Sequence, residues 1–352
     1  MSDAANELNG WNSQVPRGSA RVEPILCLPD LLREWGASAE EVFANAGVAM
    51  SILESADNTL SYERYGRLLA AAVAATRCAH FGLLLGAKTS VSRLGLVGMF
   101  AANASDVGTA LNDIVERIPR FNRAVTVFLS KSEGAATFSY DLLEPNIQGG
   151  ELIREAGVAI ASRVLRELCG PSWTPELVTF PHKARGPTGP YVEFFRAPVV
   201  FNSESAGLTF SGRLLGQPVS LASQTARDAL KDQLDRLELA GSDTFSDRVC
   251  RQMHIAIARG QLGESAIARS LGMDTSTLRR KMAQEGAKYR TLAQGVKFGV
   301  ASQLIKDTDL KLADVAAVIG FYEKSAFTRA FRQWSGMTPS EWRRRARGSS
   351  RR

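Results

Sequence analysis

The sequence predicts an α+β N-terminal domain, an antiparallel sheet with helices, followed by an all-α C-terminal domain with two helix-turn-helix units joined by a long helix. Three observations carry this prediction: a change of hydrophobic period in the first part of the chain, a short internal repeat near its end, and an uneven charge balance. Residues 241–352 hold 21 Lys+Arg against 10 Asp+Glu, whereas residues 1–240 hold 22 against 26, so the net +7 is a basic end on an acidic remainder. A compact basic domain is the electrostatic footprint of a nucleic-acid binder, because neutralising phosphates releases counterions.

Taken in order, residues 1–19 are polar and read as a disordered leader, without the basic and then apolar stretches of a signal peptide. From Pro24 to about Ile118 apolar residues recur at helical spacing, as in Leu28-x-x-Leu31-Leu32 and Tyr65-x-x-Leu68-Leu69-x-x-Ala72-Val73. Such stripes face a core. The period then shortens: 124–129 and 135–142 are β-branched or aromatic runs separated by Ser130-Lys131-Ser132-Glu133-Gly134, which predicts a hairpin. A helix over 151–168 ends at Gly170-Pro171, and strand-like runs follow at 177–180, 199–201 and 207–210. These elements make a domain over 20–220. Within it Arg120, Asn122, Tyr140 and Glu155 are polar residues flanking predicted strands and helices, and they read as structural. A polar helix carrying Leu230, Leu234, Leu237 and Leu239 forms a linker over 221–243, either packed on its own domain or offered to a second copy.

Composition excludes several classes. With 45% hydrophobic and 22% charged residues the chain can bury a sizeable core, yet its longest apolar runs, 68–75 and 94–102, fall well short of the roughly 18 residues of a membrane span. No membrane partner is expected, and the chain reads as cytoplasmic. Cys27, Cys78, Cys169 and Cys250 are far apart, without a C-x-x-C pair, and His80, His182 and His254 are equally scattered. Neither a metal site nor a Ser-His-Asp arrangement follows from such spacing, so no catalytic residue, metal or cofactor is expected.

The repeat lies in the basic domain, expected over 244–346. Its first copy runs Ala266-Ile267-Ala268-Arg269-Ser270-Leu271-Gly272-Met273 and then Asp274-Thr275-Ser276-Thr277-Leu278-Arg279-Arg280-Lys281-Met282. The second runs Asp314-Val315-Ala316-Ala317-Val318-Ile319-Gly320-Phe321 and then Glu323-Lys324-Ser325-Ala326-Phe327-Thr328-Arg329-Ala330-Phe331. Small Ala268 and Ala316 let two helices cross closely. Gly272 and Gly320 end the first helix where a left-handed backbone costs glycine little. Asp274 is a good N-cap for the second helix, and Glu323 acts there chiefly through the helix dipole. Leu278 and Met282, like Phe327 and Phe331, recur four apart and face inward. The outer faces then carry Thr275, Ser276, Arg279 and Arg280 in one copy and Lys324, Ser325, Thr328 and Arg329 in the other. Such groups reach base edges and phosphates in a major groove. The predicted helix over 288–307 spans about 30 Å, close to the roughly 34–36 Å between successive major grooves on one face of DNA. Beyond the repeat, Thr338-Pro339-Ser340-Glu341 reads as a capping box with proline at the first helical position, and Trp342 as packing inward. The arginines from 343 onward, with a basic tail over 347–352, either touch phosphate or form a solubilising end.

The run Gly320-Phe321 through Ser325-x-Phe327-x-Arg329-x-Phe331 to Gly336-Met337-Thr338-Pro339 resembles the signature of the AraC/XylS family, whose DNA-binding domain has two helix-turn-helix units on a long helix. The resemblance implies base-reading roles for Ser276, Arg280, Ser325 and Arg329, with Thr275, Arg279, Lys324 and Thr328 nearby. Residues 20–220 are similar to the helix-rich, arabinose-binding-type regulatory domain of some family members rather than to a jelly-roll barrel. This implies an effector-responsive transcription regulator, an activator, whose partners are double-stranded operator DNA, RNA polymerase, an unknown small-molecule effector and a second copy of the chain. The alternatives are a ligand-independent DNA-binding protein whose N-terminal domain serves dimerisation, and a methyl-transfer repair protein. The isolated cysteines argue against the last.

Overall fold

The computed structural model describes residues 15–144, 146–219, 222–239, 244–258, 260 and 262–349. Most of the expected leader lies outside them, but Val15 is buried and Ser19 opens a strand, so the fold takes in residues whose polar neighbours had suggested disorder. That strand, β1 (Ser19–Arg21), lies antiparallel to β2 (Thr59–Ser61). Between and after them come α1 (Leu28–Glu34), α2 (Ala39–Ala46), α3 (Tyr62–Thr76), α4 (Phe81–Ala87), α5 (Gly95–Ala102) and α6 (Val107–Phe121). Side-chain oxygens of Ser38, Ser61 and Asp106 accept the backbone N–H groups that would otherwise be orphaned at the starts of α2, α3 and α6.

The predicted hairpin forms as β3 (Val125–Ser132) and β4 (Ala135–Leu142), followed by α7 (Gly150–Cys169), β5 (Leu177–Thr179), α8 (Gly189–Phe195), β6 (Val199–Val200) and β7 (Ala206–Ser211). The five-stranded sheet runs β3-β4-β7-β5-β6. It is antiparallel except at one edge, where β6 pairs in parallel with β5 after the α8 crossover. α7 ties two cores together: Leu152 and Ile153 join the helical cluster around Leu28, Phe43 and Phe81, whereas Val158, Val164 and Leu168 join the cluster on the sheet. α4 meets α7 at Gly82, where a Cβ would stand 2.2 Å from the Leu152 carbonyl oxygen. No larger residue permits that approach.

The helix expected as a linker is α9 (Gln224–Leu239), and Leu234 is buried in the cluster on the sheet, with Leu230 packed against it. Arg227 anchors it, pairing with Asp113 at 2.8 Å and lying 3.9 Å from the centre of the Phe100 ring. The side chains of Leu237 and Leu239 lie outside the described residues.

The C-terminal domain comprises α10 (Phe245–Ala258), α11 (Glu264–Ser270), α12 (Thr275–Gln284), α13 (Tyr289–Asp307), α14 (Leu312–Val318), α15 (Lys324–Ser335) and α16 (Pro339–Ser349). It has two core clusters, one around Val249, Met253, Leu278 and Met282 and one around Leu304, Val315, Phe327 and Phe331, with Val300 and Val318 packed against both. The long helix α13 serves both, with Val296 in the first and Ala301, Leu304 and Ile305 in the second. The capping box forms as expected: Thr338 N–H donates to Glu341 Oε2 at 2.8 Å and Glu341 N–H donates to Thr338 Oγ1 at 3.3 Å. α16 extends past the expected start of the tail to Ser349. Arg343 donates to the Ile305 and Leu310 carbonyls, and Arg347 pairs with Asp309, so these two arginines brace the fold.

Several polar contacts join the two domains. Arg123 pairs with Asp247 on α10, Asn146 donates to Ser302 Oγ on α13 at 3.1 Å, and Lys183 pairs with Asp309 at 2.8 Å. Asp309 lies in the loop between α13 and α14, ahead of the second helix-turn-helix unit, so the second unit is tethered as well as the first.

Candidate nucleic-acid interface and cavity

Both helix-turn-helix units have the local geometry that the repeat requires. Gly272 and Gly320 adopt φ of 70° and 79°, in the left-handed region, and Ala268, Ala316, Leu278, Met282, Phe327 and Phe331 are all buried. Asp274 caps α12 by accepting the Thr277 N–H at 2.8 Å. Glu323 makes no such side-chain bond at the start of α15, which leaves the dipole as its contribution.

The eight outward positions are not equivalent. Ser276, Arg280, Lys324, Ser325 and Arg329 are exposed, while Thr275 and Thr328 are half-buried, and Thr328 donates to the Lys324 carbonyl one turn back. Arg279 is exposed at its end but committed: its Nε and Nη2 both donate to the Glu264 carboxylate on α11 at 2.7 Å. Among the described residues Arg280 and Arg329 have no ion-pair partner, and they occupy matching positions on α12 and α15.

The spacing of the repeat reveals a residue that the motif reading passed over. Ala268 and Ala316 are 48 apart, as are Gly272 and Gly320, yet Leu278 and Phe327 are 49 apart. The extra residue is Tyr322, in the second turn, and it is fully exposed. An exposed aromatic side chain beside the start of α15 enlarges the surface that this unit can present. The signal in the sequence was the change of offset.

A cavity lies in the N-terminal domain between α3, α6, α7 and the β3–β4 hairpin, with a volume of about 140 Å³. Its walls are mostly aliphatic and aromatic, and its polar groups cluster. Asn122 Nδ2 donates to the Tyr62 hydroxyl at 2.6 Å, and the Tyr62 and Tyr140 hydroxyls are 3.1 Å apart. Asn122 Oδ1 accepts from Ala124 N–H, which fixes the amide orientation. Burial pushes both phenols above their ordinary range, so they remain neutral. Thus Asn122 and Tyr140, read from the sequence as structural, line a cavity together with Tyr62, which the sequence did not single out. The Arg120 side chain lies outside the described residues.

Glu155 belongs to a different, closed cluster. It is fully buried on α7, its Oε1 accepting from the Tyr191 hydroxyl at 2.8 Å and lying 3.7 Å from His182 Nε2, with Arg185, Arg154 and Glu151 the charged groups acting on the pair. Burial pushes the Glu155 carboxyl up to about 8 and His182 down to about 4, against ordinary values of 4.5 and 6.5. The folded state therefore keeps a proton on Glu155 that the unfolded chain releases above about pH 4.5, and this stabilisation is lost as pH rises toward 8. His182 acts the other way, costing stability on acidification, but only below its unfolded value of 6.5. Between pH 6.5 and 8 urea stability is expected to fall by at most ~1.4 kcal/mol per pH unit, and Glu155→Gln should flatten that slope. An unchanged slope in the variant would remove Glu155 as its source.

Residues 36–219 match the family described as the arabinose-binding domain of AraC transcription regulators, N-terminal, and residues 267–345 match a helix-turn-helix domain. The chain is 29% identical over 320 residues to the HTH-type transcriptional regulator VirS of Mycobacterium tuberculosis, covering 89% of this chain and 93% of VirS. It is 26% identical over 318 residues to the ornithine utilization regulator of Pseudomonas aeruginosa, covering 90% of this chain and 94% of that protein. The crystal structure of the transcriptional regulator CdpR from Pseudomonas aeruginosa aligns over 90% of this chain and 97% of CdpR, with 22% identity and a TM-score of 0.43. Among the described residues no single helix is long and apolar enough to cross a membrane. The family matches and the paired helix-turn-helix units agree: the chain belongs to the AraC family of DNA-binding transcription regulators, in the group with an arabinose-binding-type N-terminal domain, and it is not an enzyme.

Proposed function

We propose that the chain acts in the cytoplasm as an effector-controlled activator, reading operator DNA with α12 and α15 and engaging RNA polymerase when a small molecule occupies the N-terminal cavity. The observation that carries the DNA-reading part is the repetition itself: Arg280 and Arg329 stand exposed and, among the described residues, without an ion-pair partner at matching positions on α12 and α15. The 19 residues of α13, at 1.5 Å each about 29 Å long, suit adjacent major grooves. Arg279 must exchange Glu264 for phosphate to join them, an exchange that costs little because exposed ion pairs are worth about 0–1 kcal/mol. Effector control is supported by chain order. Asn122 lines the cavity, and its neighbour Arg123 grips Asp247 on the first helix of the DNA-binding domain. A ligand that shifts Asn122 thereby bears on the domain contact.

The test is a gel-shift of the full chain on its own upstream DNA across a salt series, paired with a promoter reporter. Specific retardation should weaken with salt at a log–log slope of about −0.9 per neutralised phosphate, and the reporter should rise when the effector is present. No retardation at low salt, with and without candidate metabolites, would defeat the reading.

A further inference from the structure

We infer that the cavity takes a small, neutral amphipathic molecule, with an aromatic or short aliphatic body and one oxygen acceptor such as a carbonyl. This rests on the effector-control reading and adds the chemical class of the ligand. Size comes first. About 140 Å³ is close to the roughly 150 Å³ of an apolar cavity that accepts benzene, so the body is one ring or a chain of similar bulk. Leu111, Ile114, Val127, Phe138, Ile153 and Val164 supply apolar wall from two helices and both strands of the hairpin.

The polar end then specifies the head group. Asn122 donates to the Tyr62 oxygen, and whichever way the Tyr62–Tyr140 bond runs, one hydroxyl hydrogen is left without an acceptor among the described residues. Both hydroxyls belong to residues that line the cavity, so that hydrogen is a donor available to whatever fills it, and its natural partner is an oxygen lone pair. The Tyr140 ring is held in place from behind, because it lies against Gly157, where any Cβ would stand 2.6 Å from the ring. The two charged residues of the lining, Arg21 and Glu23, are of opposite sign, and Arg21 is paired with Asp57. A carboxylate would thus be desolvated without a dedicated counter-charge. A pentose fits worse, since it carries a hydroxyl on nearly every carbon and the walls offer few partners for them.

The test measures binding of acetophenone, benzoate and L-arabinose to the full-length protein by thermal shift and calorimetry. Acetophenone at ten times its Kd should raise Tm by about 2–5 °C, the double variant Tyr62→Phe/Tyr140→Phe should weaken it about 3- to 10-fold by removing both hydroxyls, and Ala161→Phe should abolish binding by filling the space. Should Ala161→Phe fail to fold, the double variant decides alone. Absence of an acetophenone shift, an equal shift in the double variant, or tighter binding of benzoate or arabinose overturns the inference. Arabinose binding that alters operator affinity would overturn the ligand class while leaving effector control intact. Acetophenone binding, sensitive to loss of the two hydroxyls, without any change in operator affinity would keep the site and overturn effector control.

Discussion

Replacing Arg280 and Arg329 together with alanine is expected to lower operator affinity by roughly 30- to 25,000-fold, since a bidentate guanine contact is worth about 1–3 kcal/mol and the double variant loses two. Their effects should add, because α12 and α15 bury their inward residues in different core clusters, Leu278 and Met282 in one and Phe327 and Phe331 in the other. Fold stability should move by no more than about 0.5 kcal/mol, as expected for exposed side chains. The single variants should each relax discrimination at one short stretch of the operator and leave the other stretch as selective as before. Arg279→Ala is the informative control: it removes the bidentate pair with Glu264 on α11, so any loss reflects bracing of α12 as much as DNA contact. Fluorescence anisotropy at fixed salt, with thermal melts of each variant, makes the comparison. Affinity of the double variant within threefold of the parent would remove both arginines from the interface.

What was legible in the sequence and what was not differ for a physical reason. A helix-turn-helix is local: small residue, glycine and inward pair recur within about 20 residues, so Gly272, Leu278, Gly320 and Phe327 announce their own roles. The hairpin was legible for the same reason, since its strands are joined by one tight turn. The parallel edge of the sheet was not, because β6 has two residues and reaches β5 only through the α8 crossover. Nor was the fate of Arg279, whose partner Glu264 sits on the preceding helix, 15 residues away. The cavity is the extreme case. Its lining is drawn from residues as far apart as Ala20 and Val164, and each apolar member reads along the chain as ordinary core. Asn122 and Tyr140 were noticed as polar residues beside strands, yet only folding brings them to Tyr62, 60 and 78 residues away.

Phe331→Ala should cost about 3–5 kcal/mol, the range for deleting a fully buried phenylalanine, and the loss should fall on one half of the DNA-binding domain. Phe331 is a hub. Its ring centre lies 5.4 Å from Phe298 on α13, 5.7 Å from Phe327 on the same helix and 5.8 Å from Trp342 on α16. Truncation therefore removes the common partner of three rings drawn from three helices, and neighbours held by several elements cannot all close on the void. The first unit has its own cluster around Leu278 and Met282, of which Phe331 is not a member, so it should stay folded. Trp334 and Trp342 both flank the damaged core, and their fluorescence and near-ultraviolet dichroism should report its melting before the global transition. Operator DNA then gives the functional consequence. With α12 ordered and α15 not, a footprint that spans two major grooves in the parent should shrink to one, with the remaining contacts centred on Arg280. A full-length footprint with unchanged tryptophan spectra would show that the second unit does not depend on this aromatic cluster, whereas complete loss of protection would show that the two units fold as one.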